Sequence, residues 1–233
     1  MSVSASVYEK FIIESADGSK TVDISRGVNA FFYYENIFSP YLTARCIVTN
    51  TGSTIESDGK LQSLYNGLPI RGGERLLIKI AGNSQTNKGL DFADKPSKYF
   101  YVSAVINVMD DGERESFVLN LVSKEAITNE TVRVGKKFST GQSISQSVRD
   151  ILTDKRYLTT DKINTIEETQ NSYGFIGNLK KPFPIITWLA SKSVSGGTEN
   201  QPKDGSAGFL FFETKDGFNF RSIDSLIEQE PYE

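Results

Sequence analysis

Through most of the first half of the chain, apolar and polar residues alternate with a period of two, the pattern of half-buried strands. From Tyr41 to Thr49, Leu42, Ala44, Cys46 and Val48 fall on one face, and Thr43, Arg45, Ile47 and Thr49 on the other. Arg75–Ala81 repeats the pattern with Leu76, Ile78 and Ile80 inward. Phe11-Ile12-Ile13 and Thr21–Ile24 flank Asp17-Gly18, a hairpin signature. Tyr99–Val108 and Glu115–Ser123 flank Asp111-Gly112 and predict a second, longer hairpin. In that hairpin Phe100, Val102, Ala104, Ile106 and Val108 form one apolar stripe, and Phe117, Leu119 and Leu121 another. A short helix is expected near Lys60–Tyr65, and the polar stretch Gly82–Ser97 reads as a surface loop. Hairpins following one another over this length predict an antiparallel barrel or sandwich.

The period changes at Glu125. Ser139-Thr140-Gly141 can cap a helix whose Ile144, Val148, Ile151 and Leu152 recur at helical spacing. Periodicity then fails over Asp161–Ser172, which reads as a polar loop. Pro184 opens a second predicted helix, where Ile185, Trp188 and Leu189 share a face. Ser193–Ser206 has the composition of a connector. Two aromatic runs, Phe209–Glu213 and Phe218–Ile223, flank Asp216-Gly217 as a closing hairpin, and the polar segment Asp224–Tyr232 leaves it. The fold class is therefore mostly β (α+β), with a barrel-like domain over 1–125, a small αβ module of two helices and a hairpin over 126–224, and an exit segment over 225–233. No internal repeat is apparent.

Composition narrows the chemistry. The 233 residues carry a formal net charge of −3 and no histidine, so the commonest general base and metal ligand are missing. The charge balance offers no basic footprint for reading nucleic-acid sequence. A single cysteine, Cys46, rules out an intrachain disulfide and suits synthesis in a reducing cytoplasm; its place in an apolar row makes it a small buried hydrophobe. The N-terminus lacks the pattern of a signal peptide, and no apolar run has the length of a membrane span.

Single residues offer little to a catalyst. Asp110-Asp111 and Asp161 sit in turn-like or polar segments and read as solvated turn residues. Gly72-Gly73 and Gly196-Gly197 read as turns rather than phosphate cradles. Lys136-Lys137 and Lys180-Lys181 read as solubilising charge that could also touch DNA or an acidic partner. Trp188 is expected to anchor the core of the second helix. Phe31-Phe32-Tyr33-Tyr34 cannot all point inward along a strand, so one face is available to another subunit. No nucleophile elbow, phosphate loop, zinc-protease motif or paired cysteine occurs. The sequence thus assigns no catalytic, cofactor-binding or metal residue, no cofactor, and no enzymatic activity.

One set of motifs carries a family likeness. Gly135-Lys136-Lys137-Phe138 with Gln142-Ser143-Ile144, then Ile151-Leu152, Leu158-Thr159-Thr160, Phe183, Trp188-Leu189-Ala190 and Gln229-Glu230-Pro231-Tyr232, resemble the αβ insert of a known hub protein. That family is the central baseplate hub ring protein of T4-like contractile-tailed phages. The likeness is specific over Val132–Tyr232 and rests on fold pattern alone over Ser2–Ser123. It implies a tube-type β-barrel over 1–125, an αβ insert over 126–224, and at 225–233 the start of a second tube barrel not contained in this sequence. It also implies a homotrimeric virion component of the tail baseplate, made in the host cytoplasm, that adapts a sixfold tail tube to a threefold spike. The implied partners are itself, the tail tube or tube-initiator protein, the central spike and other baseplate proteins. DNA would pass transiently and non-specifically during genome ejection, with no stable membrane insertion.

Two other functions stay open on the residues themselves. A glycan- or receptor-binding tail module would display Tyr and Trp on a concave surface. A two-carboxylate glycosidase would need acidic side chains about 5–10 Å apart in a cleft, and the sequence offers no such pair in a supporting context.

Overall fold

The computed structural model describes residues 7–53, 55–57, 59–84, 88–196 and 207–230. Pro231 and Tyr232 of the exit segment, and most of the 193–206 connector, lie outside the described residues. The chain divides into two compact units: residues 1–34 with 43–124, and residues 35–42 with 125–233. Residues 35–42, within the stretch the sequence reads as one β-domain, therefore belong with the second unit.

The first unit is built on an antiparallel sheet. Its strands are β1 (Val7–Glu14), β2 (Thr21–Asp23), β3 (Val28–Tyr34), β4 (Thr43–Thr51), a small β5 (Ile55–Ser57) and β6 (Lys60–Gln62) pair, helix α1 (Leu64–Gly67), then β7 (Arg75–Ala81), β8 (Gly89–Asp91), β9 (Phe100–Asp110) and β10 (Arg114–Ser123). The order across the main sheet is β2-β1-β7-β9-β10-β4-β3, with β8 added to β7. The path is open, and the chain itself closes it. Between β2 and β3, Ile24 donates its N–H to Phe11 on β1 and the Gly27 carbonyl accepts from Thr49 on β4, which ties the two ends of the sheet together. The ring of Phe11 meets that of Phe31 edge-on at 5.5 Å across this closure. Ala44, Cys46, Val48, Phe100, Val102, Phe117 and Leu119 are all buried, as the alternation predicts, and so is Leu42 of the second unit.

The alternation fails in one place. The β9–β10 ladder shifts register between Asn120 and Leu121 and again between Ser116 and Val118, and Asn107 takes φ 53°. Each extra residue moves the following side chains to the opposite face. The first extra residue, Ser103, turns Ala104 and Ile106 out of the expected inward stripe, and Ile106 is exposed; Val108, beyond the second, is exposed near the hairpin tip. Two further expectations need correction. Lys60–Gln62 is strand, with helix only from Leu64. The stretch Gly82–Ser97 contains β8 and the buried Phe92, whose ring packs 5.0 Å from Phe100. The Gly72-Gly73 turn is capped from within, because the Glu74 carboxylate accepts from the N–H groups of Arg71 and Gly72 at 2.8 and 2.9 Å.

The second unit holds α2 (Lys124–Thr131, whose Lys124 is counted with the first), β11 (Lys137–Phe138), α3 (Ile144–Thr153), β12 (Ile163–Ile166), β13 (Phe175–Ile176), α4 (Pro182–Ala190), β14 (Phe209–Thr214), β15 (Gly217–Ser222) and α5 (Ile223–Ile227). Helix α3 buries Ile144, Val148, Ile151 and Leu152, and its cap is Ser143, whose hydroxyl accepts from Gln146 N–H. Helix α4 begins two residues before the expected Pro184, with Pro182 in its first turn. The closing hairpin pairs Thr214 with Gly217 and Phe209 with Ser222. Its β15 also pairs in parallel with β12, a strand inside the segment read as a loop. Gly217 takes φ 127°, and a Cβ there would lie 2.8 Å from the Lys162 carbonyl, so the close approach of the two strands requires glycine. The exit from the hairpin opens with the short helix α5, capped by Ser222.

Candidate functional site

The second unit carries the one buried ionic constellation among the described residues. The Lys162 ammonium lies 2.6 Å from a carboxylate oxygen of Glu125, on α2, and 2.6 Å from one of Glu213, on β14. Both acids have a second duty. The Thr160 hydroxyl donates to Glu125 Oε1 at 2.7 Å, and the Leu42 N–H donates to Glu213 Oε2 at 3.0 Å. The face of Phe218 stands 5.5 Å from the ammonium. Burial pulls the Lys162 pKa down, but the carboxylates of Glu213 and Glu125 outweigh it, and the net shift is upward from 10.5. An ammonium held this way is neither a base nor a nucleophile. Its chemistry is structural: it joins α2, the residue before β12, β14 and the 35–42 segment at one buried point.

That segment carries further weight. Tyr41 stacks on Phe183 at 6.2 Å, and the Lys215 N–H donates to Glu35 at 2.7 Å. Phe183 also packs on Phe211 and Phe218, which stack on each other at 5.6 Å. Asn129 Oδ1 accepts from the Phe183 N–H at 2.8 Å and so fixes the start of α4.

Beside these rings runs an apolar groove lined by Pro40, Tyr41, Phe183, Pro184, Thr187 and Trp188. Trp188 was expected in the core and is instead 40% exposed. The inward face of α4 is Phe183, Ile185, Ile186 and Leu189, which leaves Pro184, Thr187 and Trp188 on the outer turn. Trp188 keeps edge-on contacts with Tyr173 at 5.5 Å and Phe175 at 5.7 Å.

Cys46 is buried without ligands, and burial pushes its thiol up to about 12, so it is inert. Asp110 accepts from Gly112 N–H and Asp111 from the N–H groups of Glu113 and Arg114, the turn role expected of them. Asp161 is an exposed loop residue. Lys136 pairs with Asp150 at 3.2 Å, and Lys181 pairs with Glu130. Lys137 and Lys180 are exposed, with no acidic partner among the described residues. On β3, Phe31 and Tyr33 turn toward core rings while Phe32 and Tyr34 are exposed. Among the described residues, no cluster of three or more Cys, Asp or Glu side chains is arranged to hold a metal ion, and no helix is long and apolar enough to cross a membrane. Nothing in the chain's pattern signals the Lys162 constellation, since its members lie up to 88 positions apart (Glu125 to Glu213).

This architecture has known counterparts. Its fold is similar to that of the 43 kDa tail protein of prophage MuSo2 from Shewanella oneidensis, with a TM-score of 0.55 and 13% identity over 91% of this chain and 52% of that one. The tail protein from Neisseria meningitidis MC58 is more distant, at TM-score 0.49 and 8% identity over 91% and 49%. So is prophage tail protein gp18 from Listeria monocytogenes EGD-e, at 0.45 and 9% over 92% and 51%. The chain spans about half the length of these solved structures. No protein-family model matches it, and no curated protein does. The fold is thus a mostly β, α+β arrangement of the kind found in a prophage tail protein.

Proposed function

We propose that this chain is a non-enzymatic structural component of a phage tail, acting by assembly at the baseplate hub. The observation that carries the reading is the fold likeness to the MuSo2 prophage tail protein across 91% of the chain. The ionic constellation supports it, because the one conspicuous group of buried charges pairs internally and serves cohesion rather than turnover. In the finer form of the proposal, three copies form a ring between the tail tube and the central spike, contacting both and other baseplate proteins. The ring matches a sixfold to a threefold element and lets DNA pass during ejection, and the motifs over Val132–Tyr232 that resemble the hub ring protein of T4-like phages motivate this form.

Cryo-electron microscopy of intact tails tests the proposal. Density for this chain is expected on the tail axis, as a threefold ring above the spike. Density in a peripheral fibre would overturn the hub role.

One observation favours a second reading, a glycan- or receptor-binding tail module: the groove beside Tyr41 and the partly exposed Trp188 has the aromatic lining that sugar rings stack against. Saturable quenching of the single tryptophan by host-surface glycans would support it, and an unchanged spectrum would dismiss it.

A further inference from the structure

Two exposed patches of the chain are complementary in charge and alike in apolar character. The first is the tip of the β9–β10 hairpin. Beyond Val102 no strand pairs with the outer edge of β9 among the described residues, since β7 meets it only at Phe100 and Tyr101 and the Gly73–Glu74 turn at Val102. Past the register shift at Asn107-Val108, Val108 is 44% and Met109 68% exposed near the hairpin tip. Asp110, Asp111 and Glu113 surround them, with Arg114 as the single opposing charge, so the tip is net acidic.

The second patch is the turn after β13. Lys180 N–H donates to the Gly177 carbonyl at 3.0 Å, and both residues between them take positive φ, 50° at Asn178 and 53° at Leu179. Glycine is the relaxed choice for the second of these positions. A leucine there is strained, and its side chain is also 69% exposed, so neither backbone geometry nor burial within the chain accounts for it. Strain of this kind points to a function at the residue that bears it. Phe175 turns inward to stack on Phe138 at 4.4 Å, and the alternation throws Ile176 outward, 58% exposed. The unpaired Lys137 and Lys180 flank this crest and make it net basic.

We infer that the acidic, apolar hairpin tip of one copy docks on the basic, apolar turn around Leu179 of another. Opposite charge around an apolar centre steers and orients such a contact. The two surfaces differ, which makes the contact head-to-tail, and such contacts close into rings when the rotation allows. This deepens, and rests on, the reading of the chain as a self-assembling tail subunit.

The test is sedimentation of the full chain with its variants at low and moderate salt. Glu113→Lys and Lys180→Glu are each expected to weaken self-association about tenfold, and the double variant to recover it, since the swap restores opposite charge. Leu179→Gly relieves the strained turn and should leave the thermal midpoint equal or higher while weakening association about tenfold or more. A purely structural leucine would not separate those two readouts. An oligomer that forms but ignores all three substitutions would overturn this interface and leave the tail-axis role standing. A chain that stays monomeric at every concentration would overturn self-docking, whereas the tail-axis role is decided separately by its location in the virion.

Discussion

The two units bury comparable sets of phenylalanine, leucine and isoleucine, yet they are held together in different ways. In the first, cohesion runs along ladders: β10 pairs with β4 over nine successive positions, and every second residue enters the core. In the second, three strands pair over a few residues each, and the segments converge on a lysine held between two carboxylates and on a stack of phenylalanines. A ladder distributes its stabilisation, so no single side chain decides it. A buried ionic junction concentrates it, because losing one member strands the charges of the others.

The largest effect should follow from that difference. Lys162→Ala leaves Glu125 and Glu213 facing each other without a counter-charge, and is expected to cost about 3–5 kcal/mol. The loss should be confined to the second unit. Trp188 is the only tryptophan and lies in that unit, so its fluorescence reports the second unit's unfolding, while amide exchange along β10 reports the first. A simultaneous shift of both probes would show that the junction is not local. Replacing all three charges (Glu125→Gln, Lys162→Met, Glu213→Gln) should recover most of the loss, since a buried ion pair is rarely more stable than a neutral set of like volume.

Next in size is the matching test on the ladder. Leu119→Ala opens a cavity in the first unit, where the side chain is fully buried, and should cost about 3 kcal/mol. It should accelerate exchange on β10 and leave the tryptophan signal unchanged. Trp188→Ala should cost less, about 1–2 kcal/mol against the 3–5 of a fully buried aromatic, because two edge-on ring contacts and an exposed outer face are what it loses. Urea denaturation of the second unit measures it, followed by tyrosine absorbance since the variant lacks the tryptophan. A loss above about 4 kcal/mol would restore Trp188 to the core.

This contrast also explains which parts of the fold were legible beforehand. Ladder strands announce themselves, because burial on one face imposes a period of two on consecutive residues; Leu42, Ala44, Cys46 and Val48 gave both the strand and its inward face. The same logic fails at Ser103, where an extra residue reverses the faces of Ala104 and Ile106 and no residue type before it signals the change. Helix α3 was legible through its apolar stripe, but α2 was not, because its buried positions are Glu125 and Asn129, polar side chains whose partners lie far along the chain. Strand β12 was hidden for a related reason: its ladder is supplied by β15, more than fifty residues later. Likewise the sequence marks Lys180 as solubilising charge that could touch DNA or an acidic partner, and Asp110 as a solvated turn residue. Their place on exposed apolar patches depends on a turn and a bulge.

The smallest effect separates the units by pH. Cys46, in the first unit, has its thiol pushed from 9.0 up to about 12 by burial. The unfolded thiol ionises above pH 9 while the folded one cannot, so this contribution is complete below pH 9 and is lost progressively as pH rises toward 12. Lys162, in the second unit, has a pKa raised above 10.5, so its contribution is complete below that value and fades only at higher pH. Between pH 9 and 10.5, alkali should therefore weaken the first unit alone, by roughly 1 kcal/mol at pH 10. Exchange along β10 should respond in that window while the tryptophan signal holds steady. Cys46→Val, which keeps an apolar side chain of similar size at the site, should remove the response. If the alkaline loss persists in that variant, the thiol is not its source.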